Sequence, residues 1–315
     1  MKSVVAFLSL AGLITSAAAA CNDAADGFAS LNGGTTGGAS GEEVTVTTQE
    51  ELAEYAIAEE PYIIKIPGRI DIDPVGTEIE VGNNKTIIGS GAEGEIYGGG
   101  FFLDGSQNVI IRNLKIGNTY VESDPDGKGE DWDAIQMDTA SNVWIDHCLL
   151  THGRDGLIDS REDTNFLTVS YTHLLDHNKA FGIGWTDNVV AQITAHHNYF
   201  ENLQQRNPSA DNVKYMHLYN NYLSNVSSYG HYARGSTAML MENVFFEGVT
   251  DPVVRDETAT LAITGNIYED CSGDTAEASG DVFNASDFYE YTLDNTEDVP
   301  SIVAEEAGPN ASICE

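Results

Sequence analysis

Asp131-Trp132-Asp133 and Asp155-Gly156-Leu157-Ile158-Asp159 gather four carboxylates between residues 131 and 159. On an extended strand, residues two apart share a face, so Asp131 and Asp133 point the same way, as do Asp155 and Asp159. If the two stretches lie on adjacent strands, the pairs come within one or two strand spacings, roughly 5–10 Å. Carboxylates that close do not all stay ionised without a cation, and hard oxygen ligands suit Ca²⁺. Chance clustering is the competing explanation, because the chain carries 50 Asp and Glu. Two bases follow the acids: Lys179 in Asp176-His177-Asn178-Lys179, and Arg206 in the polar loop Gln205-Arg206-Asn207-Pro208. With only 14 Lys and Arg in the chain, two of them at successive strand ends beside an acid cluster are candidates to hold an anionic substrate. The alternative is that each merely pairs with a neighbouring Asp.

These residues need elements that bring them together. The stretches YIIKIPG, TEIEV, KTIIGSG, EIYGGG and NVIIRNLKI read as short apolar strands punctuated by Gly, Asn and Asp. Later, HHNYF, YNNYL, MENVF and TGNIY align on Asn198, Asn221, Asn243 and Asn266, with NVWIDHCLL and FLTVSYTHL as earlier members. A near-constant period of 20 to 30 residues built from short strands indicates a solenoid. Each coil adds one strand to a parallel sheet, and stacking buries what one coil cannot. The repeated Asn is expected at the coil corner, bridging coils through its amide and tolerating left-handed backbone. A β-sandwich with chance spacing is the alternative architecture. TQEELAEYAIAEE, residues 48–60, is the one convincing helix, with Thr48 as its cap and Glu51 three residues on. Beyond about residue 275 the repeat fades, and the remainder is expected to wrap the outside. The fold class is therefore all-β, with the solenoid carrying a short N-terminal helix and an irregular C-terminal wrap.

Composition limits the partners. The formal net charge is −36, which disfavours nucleic acid and anionic membranes. It also repels a polyanion at long range unless cations occupy the binding surface. Lys2, the apolar VVAFLSLAGLI and Ala18-Ala19-Ala20 read as a secretory signal peptide over residues 1–20. A lipidated Cys21 is a weaker reading, since Ala18 stands where a bulky aliphatic residue is expected. No other apolar run approaches the ~20 residues needed to cross a bilayer. Residues 21–315 are then one exported, extracellular domain. Cys21, Cys148, Cys271 and Cys314 allow up to two disulfides with three pairings open. Their wide spacing argues against zinc. Sequons at Asn84, Asn225, Asn284 and Asn310 would accept glycans in a eukaryotic host.

NVWIDHCLL, DGLID, HNKAFGIGW, HHNYFENLQQRNP and HLYNNYL together resemble the core of polysaccharide lyase family 1, the pectate lyases. CNDAADGFA followed by NGGTTGG is similar to its fungal-type members. WIDH alone would be moderate support; WIDH, DGxxD, HNK and QRNP in this order are strong. The resemblance implies a right-handed parallel β-helix, monomeric, with its cleft outside one sheet. It implies α-1,4-polygalacturonate as substrate and Ca²⁺ as cofactor. Asp133, Asp155 and Asp159 match the family's calcium ligands, with Asp131 an additional one. Lys179 matches the lysine that binds substrate carboxylate, and Arg206 the arginine that removes the proton. That last role comes from the resemblance alone, because a free guanidinium holds its proton above pH ~12.

One position departs. Where the family commonly carries a second arginine, five residues after the first, this chain has Asp211. Arg234, one coil later, is the candidate to replace it in substrate binding; a structural ion pair is its bland reading. His147, in Trp144-Ile145-Asp146-His147, is expected to be a buried histidine satisfied by nearby backbone rather than a catalytic one, and His196 and His197 likewise. Three other functions stay open. A pectin lyase acting on methyl esters would need no calcium. A hydrolase would use two of the carboxylates as acid and base. A non-catalytic β-helix would only bind polysaccharide.

Overall fold

A computed structural model describes residues 24–124 and 127–314. The signal peptide expected over residues 1–20, and Cys21, lie outside the described residues. The chain winds into a parallel β-solenoid of about ten turns, the right-handed parallel β-helix expected above. Ten strands, from Glu42–Thr45 to Thr260–Thr264, stack in chain order into one sheet, and sixteen form a second. The second sheet bends into two strips. The twelve-residue strand His173–Gly184 joins them. It pairs with Leu149–Thr151 and Tyr199–Gln205 on one strip, and with Gly156–Arg161 and Ser209–Asp211 on the other.

Why the coils stack is visible in one inward row. Ile64, Ile87, Ile111, Ile145, Val169, Ala195, Leu218 and Met241 sit in register on successive strands. All are fully buried. Each larger aliphatic removed from water contributes about 1.5–3 kcal/mol, and none could be covered by its own coil.

The corner asparagines follow the expected scheme with one shift of register. Asn198 and Asn221 are buried, and Asn221 Oδ1 accepts the Asn198 N–H at 3.0 Å while its Nδ2 donates to the Ala195 carbonyl at 2.8 Å. The left-handed residues are the ones before them, His197 (φ 52°) and Asn220 (φ 51°). Strand pairing of Tyr222 with Phe245 places Val244, not Asn243, in the amide row. Asn243 is itself the left-handed residue (φ 50°), and its side chain donates to the Asp294 carbonyl at 2.8 Å. Asn suits both slots, one for its amide and one for its backbone tolerance, so the aligned letters hid the step.

The helix spans Gln49–Ile57, with Thr48 accepting the Glu51 N–H at 3.2 Å. It ends earlier than the expected residue 60. Pro61 pushes Glu60 away from helical backbone, and carboxylates at a helix C-terminus oppose its dipole. Cys148 and Cys271 are free thiols, whereas Cys314 is disulfide-bonded. Two disulfides are therefore not formed. Cys148 and Cys271 lie at strands five coils apart, roughly 24 Å at one strand spacing per coil, far beyond the ~7 Å a disulfide spans. After Ile267–Glu269 the chain leaves the coils and wraps the outside, ending in the helix Val299–Glu306. Tyr289 of this wrap packs its ring 5.1 Å from Phe28 and places its hydroxyl 2.7 Å from Thr194 Oγ1.

Candidate functional site

Five consecutive coils of the second strip supply the polar groups, at or just before the strands Ile135–Asp138, Gly156–Arg161, His173–Gly184, Ser209–Asp211 and His231–Arg234. The four predicted aspartates converge. Asp131, Asp133, Asp155 and Asp159 each offer a carboxylate oxygen, all within 4.8 Å of one another. Parallel register does this: Gln136 pairs with Asp159, and Gly156 with Lys179. Asp133 is fully buried and Asp159 nearly so. Asp133 Oδ1 accepts the Gly156 N–H at 2.6 Å, while its Oδ2 is buried without a hydrogen-bond partner among the described residues. Asp159 Oδ1 is likewise without one.

Burial, then repulsion from Asp159, Asp155 and Asp131, pushes the Asp133 carboxyl well above the usual carboxylate range. Burial also pushes Asp159 up to about 7, against the opposing pull of Arg206. Orphaned, buried, mutually repelling oxygens are what a hard divalent cation neutralises. The donor set therefore fits Ca²⁺.

Bases ring the cluster. Lys179 Nζ pairs with Asp155 Oδ1. Arg206 Nη1 lies 3.5 Å from Asp159 Oδ1, an ion-pair distance without a hydrogen bond. Gly182 makes this approach possible: a Cβ there would stand 2.6 Å from Asp159 Oδ1 and 3.2 Å from Arg206 Nη1. Arg206 itself sits on left-handed backbone (φ 60°) at the coil corner, and its carbonyl accepts the Phe181 N–H at 2.6 Å. Arg234 is on the same face, one coil beyond, with Asp211 and Arg234 directly paired in register. Its guanidinium stacks 5.1 Å over Tyr232 and forms no ion pair among the described residues.

Two further groups belong to this site and escaped the sequence reading. Arg161 donates to Asp131 and, at 2.7 Å, to Asp138. Strand alternation from Asp159 was its available signal. Glu78 comes from two coils earlier, and its Oε1 is buried and without a hydrogen-bond partner among the described residues. Burial first, then repulsion from Asp131, raises it to about 8, although an Asp133 backbone hydrogen bond opposes this. Nothing local to TEIEV pointed to it.

The histidines stand elsewhere. His147 follows the strand Ser141–Asp146 of the ten-stranded sheet on left-handed backbone (φ 48°). That turn breaks the alternation and sends its ring out against Tyr171, at 4.8 Å, rather than into the core. Its Nδ1 meets the Asp146 carboxylate at 2.7 Å, a side chain and not the backbone partner expected. His196 and His197 link Asp26 to Asp294 through ring contacts of 2.8–2.9 Å, tying both terminal segments to the sheet. His177, at the site's edge, holds the Asp155 carbonyl at 3.0 Å, and burial lowers its pKa to about 4.

Two depressions border the cluster. One of about 450 Å³ is lined by Gly129, Asp131, Asp155 and Lys179, and one of about 180 Å³ by Trp185, Arg206, Asp211 and Arg234. A larger groove, about 760 Å³, lies between Tyr120, His177, Asn202 and Asn225. It has no Lys or Arg in its walls, so it lacks the charge to hold a polyanion.

The raised carboxyls set a pH dependence. Unfolded, such acids titrate near pH ~4, whereas in the fold Asp159 titrates at about 7 and Glu78 at about 8. Between these limits the folded chain binds more protons than the unfolded one, so stability falls as pH rises through that window. Metal-free protein is expected to show a melting temperature that declines from about pH 5 to about pH 8. Glu78→Gln should flatten the decline in calorimetry at a series of pH values. An equal slope in the variant would remove Glu78 from this account.

A family model described as pectate lyase matches residues 1–312. Pectate trisaccharide-lyase of Thermotoga maritima is 33% identical, covering 99% of this chain and 96% of its own. Pectate trisaccharide-lyase of Bacillus licheniformis is 35% identical over 90% of this chain and 85% of its own. Among solved structures, a pectate lyase from Bacillus sp. N165 in complex with trigalacturonate superposes with a TM-score of 0.79 at 27% identity, covering 91% and 99% of the two chains.

Proposed function

This chain belongs to the pectate lyase family, and from that premise we propose that the clustered aspartates bind Ca²⁺ and that Lys179, Arg206 and Arg234 work on polygalacturonate in β-elimination. The convergence of Asp131, Asp133, Asp155 and Asp159 with Lys179 and Arg206 on one outer face carries the reading. Asp133 and Asp159 would form the buried side of the ion's site, Asp131 and Asp155 the open side. When bound, Ca²⁺ would supply positive charge to a substrate carboxylate and so stabilise negative charge developing on it.

Each residue then has a separable task. Lys179 places an ammonium at the cluster's rim, where a sugar carboxylate can replace Asp155 as its partner. Arg206, in its neutral form, takes the proton from C5 of the uronate, the carbon α to the carboxylate. The electron pair left behind becomes the C4–C5 double bond, and the C4–O bond breaks, with a solvent proton reaching the leaving oxygen. Nη1 of Arg206 is buried, 3.5 Å from Asp159 Oδ1 and without a hydrogen-bond partner among the described residues, which supports this reading. A guanidinium yields its proton only in alkaline solution, so turnover is expected to rise toward alkaline pH. Arg234 supplies a second guanidinium for substrate where Asp211 cannot.

The site also answers the charge problem. A chain of net charge −36 meets a polyanion only where cations outweigh acids, and beyond ~10 Å salt screens the rest. We further propose export, since residues 1–20 read as a signal peptide.

The test is turnover of polygalacturonate with and without chelator. Expected is an ultraviolet-absorbing, 4,5-unsaturated product that forms with added Ca²⁺ and is lost on chelation. Chelator-resistant turnover of methyl-esterified pectin would instead identify a pectin lyase, and products lacking the absorbance a hydrolase. Binding without turnover would leave only a polysaccharide-binding β-helix.

A further inference from the structure

We infer that Trp185 is a sugar-stacking, specificity-determining residue that forms with Arg234 a built subsite for one uronate ring beside Arg206. This rests on the reading of the cleft as the site of pectate cleavage.

Three tryptophans are present, and two are used up by the fold. Trp144 is buried and donates to Ser170 Oγ at 2.9 Å, and Trp132 lies 4.7 Å under Arg154. Trp185 is different: it is 53% exposed, and its indole N–H has no hydrogen-bond partner among the described residues. It follows directly on the strand His173–Gly184, on left-handed backbone (φ 60°). Its ring tip rests on Gly182, where an added Cβ would come within 2.5 Å of Cη2. Arg206 stacks against it with Cζ 5.3 Å from the ring centroid. The indole is thus anchored at one end and supported by the proposed base, while about half of the residue stays exposed and lines the cleft.

The same small cleft, about 180 Å³, is also lined by the polar Ser209, Asp211 and Arg234. Arg234 has no carboxylate partner among the described residues, and Asp211 accepts no hydrogen bond there. Arg206 also lines this pocket but faces Asp159 at 3.5 Å, which leaves Arg234 and Asp211 as its remaining charges, one of each sign. Long-range attraction therefore contributes little to holding a ring there. An open aromatic face gives what charge does not: apolar contact with the C–H face of a sugar, with polar groups at the rim fixing its orientation. Arg234 is placed for that sugar's carboxylate and Asp211 for a hydroxyl. Stacking of this kind is also indifferent to salt, unlike the contribution of an exposed guanidinium.

The experiment uses the intact enzyme with Ca²⁺ and oligogalacturonates of three to six sugars. Trp185→Ala should raise KM by roughly fivefold to tenfold while kcat falls less than threefold, and the KM effect should persist in high salt. Trp185→Phe should recover most of the affinity. In the wild type, oligogalacturonate should shield the exposed indole from acrylamide quenching, a readout that stands even if Trp185→Ala misfolds. An unchanged KM in Trp185→Ala, or an unshielded indole at saturating sugar, overturns the inference. Wild-type protein that shields the indole but makes no unsaturated product would refute the lyase reading and leave the subsite in place.

Discussion

Arg206→Lys is expected to lower kcat on polygalacturonate by at least about a thousandfold, within the range for loss of a positioned base. The substitution keeps the positive charge beside Asp159 but loses the reach and the planar fork. Nη1 of Arg206 is the atom that enters the buried space at 3.5 Å from Asp159, and a lysine chain presents a single compact ammonium instead. The fold should survive. The backbone corner is held by the Arg206 carbonyl accepting from Phe181, a contact no side chain makes. Because the charge facing the carboxylates is retained, Ca²⁺ affinity should stay within about threefold of wild type. Steady-state kinetics and calorimetric Ca²⁺ titration check the two halves separately. Retention of more than about a tenth of wild-type kcat would remove Arg206 from the role of base.

The second large effect is expected at Asp133. Asp133→Asn should weaken Ca²⁺ binding by about a hundredfold or more, with turnover at fixed Ca²⁺ falling in step. An asparagine can still accept the Gly156 N–H, so the local loop keeps its hydrogen bond. What disappears is one negative charge among four oxygens packed within 4.8 Å. The metal-free variant should therefore be more stable than metal-free wild type, most visibly above about pH 7, where Asp159 ionises against its neighbours. With saturating Ca²⁺ the order should reverse. Thermal melts with chelator and with Ca²⁺ read both signs. A variant that is less stable under both conditions would mean that Asp133 matters for packing and not for the ion.

How much of this could be read from the chain itself depends on which rule places each residue. Stacked coils repeat along the sequence, so the parallel architecture was legible in the near-constant asparagine spacing, whereas the inward aliphatic row needed the strand register. The convergence of Asp131, Asp133, Asp155 and Asp159 was legible for the same reason, since strand alternation and one coil step bring them together. The asparagine row was misaligned at Asn243 because one residue type serves two neighbouring slots, and only strand register tells them apart. The helix was overdrawn because Glu59 and Glu60 look helical by propensity, while Pro61 and the dipole decide the end. Glu78 was out of reach. Its distance along the chain from Asp133 is set by loop lengths between coils, which no local pattern encodes. Trp185 was not singled out, because the left-handed corner that turns it outward after an apolar strand is not written in any local pattern.

The proposed chemistry occupies five adjoining turns out of about ten. Each turn is braced chiefly by the one before and the one after. Whole turns gained or lost near either tip would lengthen or shorten the polymer track while leaving the gap between Asp159 and Arg206 untouched. Descendants of such a scaffold can diversify in how many sugars they grip without reinventing how they cut.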